Sequence, residues 1–162
     1  MRTQRQPVRT LDKLDRKILT LLQQDGRMAM TELANAVGLT ITPCIERVKR
    51  MERDGIITGY HARVNPLTLD AGLLVFVEIT LSAKSGRTFD DFRREVVRIP
   101  QVLECHLVSG DFDYIIKARI KEIGQYRQLL GDILLQLPGV TQSKSFVVME
   151  EVKETLTLPT DI

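Results

Sequence analysis

The sequence predicts an α+β protein in two parts: an N-terminal helix-turn-helix domain, winged-helix-like, and a C-terminal ferredoxin-like βαββαβ domain. Two observations carry this prediction. Three short segments of helical apolar spacing, punctuated by glycine, fill the first 55 residues. After residue 72, strand-like runs rich in β-branched residues alternate with helical ones in the order βαββαβ.

Residues 1–10 (MRTQRQPVRT) carry Arg2, Arg5 and Arg9 with no acid and with Pro7, and read either as a flexible basic arm or simply as a solubilising tail. The first helix starts at Asp12, whose carboxylate can accept from the free amides of a helix start, with Asp15 three residues on. Leu14, Ile18, Leu21 and Leu22 form its apolar stripe, and Gly26 ends it. A second helix from Thr31 buries Leu33, Ala34 and Val37 before Gly38, where a positive φ stops a helix without a Cβ penalty. A third begins at Thr40 or Thr42, with Pro43 in its first turn, and runs to Asp54. The segment IITGYHARVNP then alternates well enough for a short strand or hairpin.

In the second half, Leu73 to Leu81 reads as a buried strand and Thr88 to Arg98 as a helix closed by Pro100. Val102 to Val108 and Tyr114 to Ile120 alternate as strands around a Gly110-Asp-Phe-Asp turn. Ile123 to Leu137 has the spacing of an amphipathic helix stopped by Pro138-Gly139, and Val140 to Val152 is strand-like again. This order gives a four-stranded antiparallel sheet with both helices on one face. The expected organisation is a basic arm (1–10), a helix-turn-helix domain (11–61), a linker or hinge strand (62–72) and the ferredoxin-like domain (73–162).

Composition limits the function. Of 162 residues, 43% are hydrophobic and 27% charged, ordinary values for a globular protein. The longest apolar run, Leu73 to Val77, is far short of the ~20 residues that span a bilayer, and the basic N-terminus lacks the apolar core of a secretory signal. These features point to a cytoplasmic protein with no membrane partner. Cys44 and Cys105 are isolated, which gives neither a disulfide framework nor a metal site. The net charge of +2 hides an asymmetry: residues 1–60 hold eleven Lys/Arg against seven Asp/Glu, and the remainder twelve against fourteen. A basic first half suggests a polyanion partner, and the helix-turn-helix pattern makes that partner double-stranded DNA.

At 100° per residue, Ile41, Cys44, Ile45, Val48 and Met51 share one face of the third helix and pack on its neighbours. The other face carries Thr42, Glu46, Arg50 and Arg53, flanked by Arg47 and Lys49. In a helix-turn-helix the second helix of the motif lies in the major groove and offers its N-terminal residues to base edges. Arg47 or Arg50 can fork onto guanine, worth ~1–3 kcal/mol of discrimination; Thr42 and Lys49 suit phosphates. With Thr40 at the helix start, these seven residues are the expected DNA-binding set. A bland alternative remains, in which Glu46 and Arg50 are only a surface i,i+4 pair.

The run ELANAVGLTITPCIERVKRMERDGIITGY, followed by LLVFVEITL, ECHLVSGDFDY and FVVMEEVK, resembles the leucine-responsive regulatory protein (Lrp/AsnC, feast/famine) family from about Leu11 to Leu158. That resemblance implies a bacterial or archaeal transcription regulator whose second domain pairs into dimers and assembles further, often into octamers around which DNA can wrap. It implies no cofactor but an amino-acid effector, leucine or alanine, at contacts between subunits. The residues that correspond by position are Leu107, the loop Ser109, Gly110, Asp111, Phe112, Asp113 and Tyr114, then Ile123, and Phe146, Val147 and Val148. The chemistry agrees: a Gly-containing turn can offer amides to a carboxylate, Asp111 or Asp113 can accept from an ammonium, and the aliphatic residues can take a side chain.

Two rival readings, an architectural protein and an enzyme, compete with a regulator. A nucleoid-organising protein bends DNA with little sequence preference. Some haem-biosynthesis decarboxylases share the fold, but His61 and His106 lie in different domains without nucleophile or metal spacing, and Glu150-Glu151 point to opposite faces of a strand. Neither pattern is that of an enzyme.

Overall fold

The computed structural model describes residues 10–83 and 85–160, without the side chains of Leu130, Asp132 and Ile133. The basic arm expected at 1–10 lies outside the described residues except for Thr10. The chain divides into two compact units. Residues up to Arg63, together with the segment from Glu154 onward, form the first, and Val64–Lys153 the second. The expected division, with everything after residue 73 in one domain, therefore differs at the C-terminal stretch.

In the first unit, α1 (Lys13–Gln24), α2 (Met30–Val37) and α3 (Ile41–Arg53) follow the periodic segments. Asp12 and Asp15 form a reciprocal capping box, each carboxylate accepting from the other's amide. Helix α2 starts one residue before Thr31, after Ala29, without a side-chain cap. Gly38 closes it at φ 75°, and the amide of Leu39 donates to the carbonyl of Ala34. Thr40 precedes α3, but its hydroxyl makes no capping bond. Ile18, Leu33, Ala34, Val37, Cys44, Val48 and Met51 interlock as the core, with Leu22 at its edge.

Two expectations fail here for identifiable reasons. Ile41, placed on the apolar face by helical spacing, is 46% exposed, because as the first residue of α3 it lies outside the packed core that Cys44, one turn on, enters fully. The segment 56–66 forms no strand: a strand needs a partner, and none pairs with it among the described residues. Instead the Tyr60 hydroxyl donates to Glu52 at 2.9 Å, returning the chain to α3. The C-terminal segment lies against α1. The Gln23 amide group both donates to the Leu158 carbonyl and accepts from its amide, and Arg16 donates to the Thr160 carbonyl.

The second unit is a four-stranded antiparallel sheet of β1 (Leu73–Leu81), β2 (Val102–Leu107), β3 (Tyr114–Ile120) and β4 (Val140–Val147), in the order β2-β3-β1-β4. Val75, Val77, Ile79, Ile116, Ala118 and Ile120 alternate onto one face, where Phe92 and Val96 of α4 (Gly86–Val96) cover them. The second covering helix differs from the expected Ile123–Leu137. It begins as α5 (Ile123–Arg127), widens to a π turn over Gln128–Ile133 and ends as 3₁₀ over Leu134–Gln136. Leu129 and Leu134 are both core residues five positions apart, and the extra residue of a π turn keeps them on one face.

Candidate DNA interface and effector site

Helix α3 separates its polar residues into two rows. Thr42, Glu46, Lys49 and Arg53 are all exposed and fall at i, i+4, i+7 and i+11, a single outward stripe. Thr40, just before the helix, is exposed as well. Arg47 and Arg50 lie one step round the helix with Pro43, on the flank facing α1. Together, Pro43, Glu46, Arg47, Lys49, Arg50 and Arg53 border an open groove of about 580 Å³.

Both flanking arginines are engaged within the unit. Asp15 is 3% exposed, and its Oδ1 accepts from Arg47 Nη1 at 2.8 Å and from Arg50 Nη2 at 2.7 Å. Arg47 Nη1 also donates to Asp12 Oδ2 at 2.6 Å. The amide of Asp15 and the guanidinium of Arg47 hold the Asp12 carboxyl below its usual range, while Asp12 and Asp15 together push Arg47 further up. Of the seven expected DNA-binding residues, five face outward, and two are drawn into a carboxylate cluster that sequence reasoning did not anticipate. Asp12 and Asp15 were legible as a cap, but nothing in the chain connects them to arginines more than 30 residues away. Ile41, the first residue of α3, is exposed as well, but it lies 100° round the helix from Thr42 and outside the stripe.

The expected effector residues divide between the two ends of the sheet. Leu107 is half exposed and pairs with Tyr114 at one end, followed by the turn through Ser109, Gly110, Asp111 and Phe112. Gly110 adopts φ 140°, which favours glycine. Asp111 is exposed. Asp113 is 3% exposed, and its Oδ2 accepts from the buried amide of Leu81 at 2.8 Å. Its own amide donates to the Ile79 carbonyl, and its carbonyl accepts from Val108. Tyr114 sits in the core, stacked on Phe92 at 4.4 Å and edge-on to Phe89 at 6.0 Å.

Ile123, 63% exposed, lies beyond the far end of β3. Phe146 pairs with Phe76 and carries Lys144 Nζ 5.0 Å above its ring. Val147 pairs with Val75 and packs against the core, and the Val148 amide donates to the Leu74 carbonyl. Val75 and Ile79, the partner of Tyr114, stand four positions apart on β1, a span of ~13 Å. One chain thus does not gather the set into one pocket. A small cavity of about 70 Å³, lined by Gln101, Ile120, Gln125, Gln128 and Leu129, contains none of it.

No group of His, Cys, Asp and Glu among the described residues has the geometry of a metal site. Burial raises the Cys105 thiol to about 11, so it is not a thiolate nucleophile at neutral pH. No described helix is long and apolar enough to cross a membrane.

Residues 11–58 match the family model for winged helix-turn-helix DNA-binding domains, and residues 74–158 match that of the Lrp/AsnC ligand-binding domain. The chain belongs to the Lrp/AsnC family. It is 52% identical over 153 residues to the leucine-responsive regulatory protein of Escherichia coli K12, covering 94% of this chain and 93% of that one. Identity to the Serratia marcescens protein of the same name is also 52%, over 151 residues, 93% of this chain and 92% of its relative. Among solved structures, a Neisseria meningitidis transcriptional regulator in complex with L-Met superposes with a TM-score of 0.89 at 35% identity, covering 94% and 98% of the two chains. An AsnC family regulator from Agrobacterium tumefaciens gives 0.88 at 34% identity, covering 93% and 98%. As a member of the Lrp/AsnC family the chain is a transcription regulator with a DNA-binding and an amino-acid-binding domain, and the enzyme alternative falls on that ground.

Proposed function

We infer that the protein is a cytoplasmic, nucleoid-associated regulator of amino-acid metabolism, and that an aliphatic amino acid bound between copies of the chain modulates its DNA binding or assembly. On the DNA side, Thr40, Thr42, Glu46, Lys49 and Arg53 meet the duplex. Thr42 and Glu46, nearest the helix start, lie toward the base edges, while Lys49 and Arg53 meet phosphates.

The division of the effector residues between the two ends of the sheet carries the effector half of this reading. A ligand touching both groups must sit where the turn of one copy meets the far end of another, so assembly completes the site. Within the turn, amides around Gly110 are suited to the carboxylate. Exposed Asp111 is the acceptor for the ammonium, because Asp113 is committed to Leu81. Leucine or alanine is the proposed effector. Leucine agrees with the names of the relatives, and the L-Met bound in the Neisseria regulator is another aliphatic amino acid.

Light scattering tests the assembly. A dimer that grows to a larger form, an octamer, with mass shifting on addition of leucine or alanine, is the expected result. A monomer at micromolar concentration, unmoved by either, would contradict it.

A further inference from the structure

The carboxylate cluster between α1 and α3 has a consequence for how DNA is read. We propose that Asp15 is a positioning residue: it holds Arg47 and Arg50 against α1, away from DNA, and so confines sequence reading to the stripe Thr42, Glu46, Lys49 and Arg53. The proposal rests on the reading of α3 as the DNA-facing helix.

Charge balance is the first argument. Two carboxylates, Asp12 and Asp15, oppose two guanidinium groups at 2.6 to 2.8 Å. The cluster is neutral as a whole and has little to offer a phosphate. Geometry is the second. A single oxygen of Asp15, on the first turn of α1, receives both arginines from consecutive turns of α3, fixing the rotation of α3 about its own axis. Rotation matters because residues one position apart on a helix differ by 100° in direction. A small turn would bring the arginines toward DNA and carry Thr42 and Glu46 away from it. Burial is the third. The Asp15 side chain is 5% exposed, and Arg47 and Arg50 are only about a quarter exposed, so water does little to loosen the pairs to Asp15, while Asp12, 53% exposed, is the open end of the cluster.

Asp15 therefore acts on selectivity. Neutralising it frees Arg50 and leaves Arg47 held by Asp12 alone, so one or two cations beside the groove then find phosphates on any duplex. Each newly neutralised phosphate steepens the dependence of log affinity on log salt by ~0.9.

The test uses the full chain, a duplex from upstream of its own gene and a scrambled duplex, with affinities measured by anisotropy across a salt series. Asp15→Asn is expected to steepen the slope on the scrambled duplex by about 1 to 2. It should also lower the ratio of upstream to scrambled affinity about tenfold, the scale of one lost base contact. Arg50→Ala is expected to leave that slope unchanged, while Lys49→Ala reduces it by about 1. A slope reduced by about 1 in Arg50→Ala would make Arg50 a phosphate contact and overturn the proposal. Parallel loss of both affinities in Asp15→Asn, at constant slope, would reduce Asp15 to a fold-stabilising residue and overturn it too. Should Asp15→Asn lose its helical circular dichroism, the Arg50→Ala slope decides alone. An unchanged slope in Lys49→Ala would instead remove the interface reading, and the proposal with it.

Discussion

Replacing Asp113 with alanine separates a residue that builds the effector loop from one that touches the effector. The side chain is 3% exposed, and its Oδ2 takes the Leu81 amide at 2.8 Å where β1 ends. Alanine leaves that amide buried without its acceptor. The loss of a hydrogen bond to a charged group, with an orphaned donor left behind, is worth about 1.5–3 kcal/mol. At ~4–8 °C per kcal/mol for a domain of about 100 residues, the second unit should melt at least ~6 °C lower. Asparagine offers an amide oxygen at the same place and should cost under ~1 kcal/mol. Differential scanning calorimetry of the two variants beside the parent, with an effector titration of each, is the assay. Asp113→Asn should keep both stability and effector response; Asp113→Ala should lose stability and blunt the response. If Asp113→Ala melts with the parent, or Asp113→Asn falls as far as alanine, the hydrogen bond is not what holds the loop. If Asp113→Asn is stable yet unresponsive, Asp113 meets the ammonium itself.

Asp111→Asn, at an exposed position, should leave the melting temperature within ~1 °C and abolish the effector-dependent change in DNA affinity; an intact response moves the ammonium contact elsewhere. Gly38→Ala meets no atom within 4 Å but must hold φ 75°, so chemical denaturation should show a loss of ~1–2 kcal/mol from backbone strain alone. Asp12 has its carboxyl held below its ordinary value of 3.8 in the folded state, so its contribution is complete above that pH and lost as pH falls through the lowered value. The stability difference between the parent and Asp12→Asn should accordingly be constant near neutrality and shrink below about pH 4; a gap that widens in acid would contradict the assigned shift.

Much of the fold was legible because period and punctuation agree. Leu73 to Leu81 and Tyr114 to Ile120 alternate onto a buried face and stop at turn residues, so their limits coincide with those of β1 and β3. Asp12 and Gly38 mark helix ends because a carboxylate can accept from free amides and a glycine can adopt positive φ. Features that depend on distant parts of the chain were not legible. The π turn at Gln128–Ile133 answers to where Leu129 and Leu134 must pack. The strand expected after α3 had no partner to pair with. The DNA set was readable as a charged helix face, but the 100° rule cannot distinguish arginines facing solvent from those meeting Asp15 on another helix. The effector set came by resemblance to the family, and no local signal places Ile123 and Phe146 at the opposite end of the sheet from Gly110.

Selective DNA binding controlled by an amino acid is the property on which the proposed function stands. Anisotropy titration with the duplex from upstream of the protein's own gene and with a scrambled duplex, at one salt concentration, tests it directly when repeated with leucine and with alanine. The expected result is an upstream-to-scrambled affinity ratio of ~10³ or more, shifted by one of the two amino acids. Equal binding to both duplexes, unchanged by either amino acid, would contradict it and leave a nucleoid-organising protein in its place.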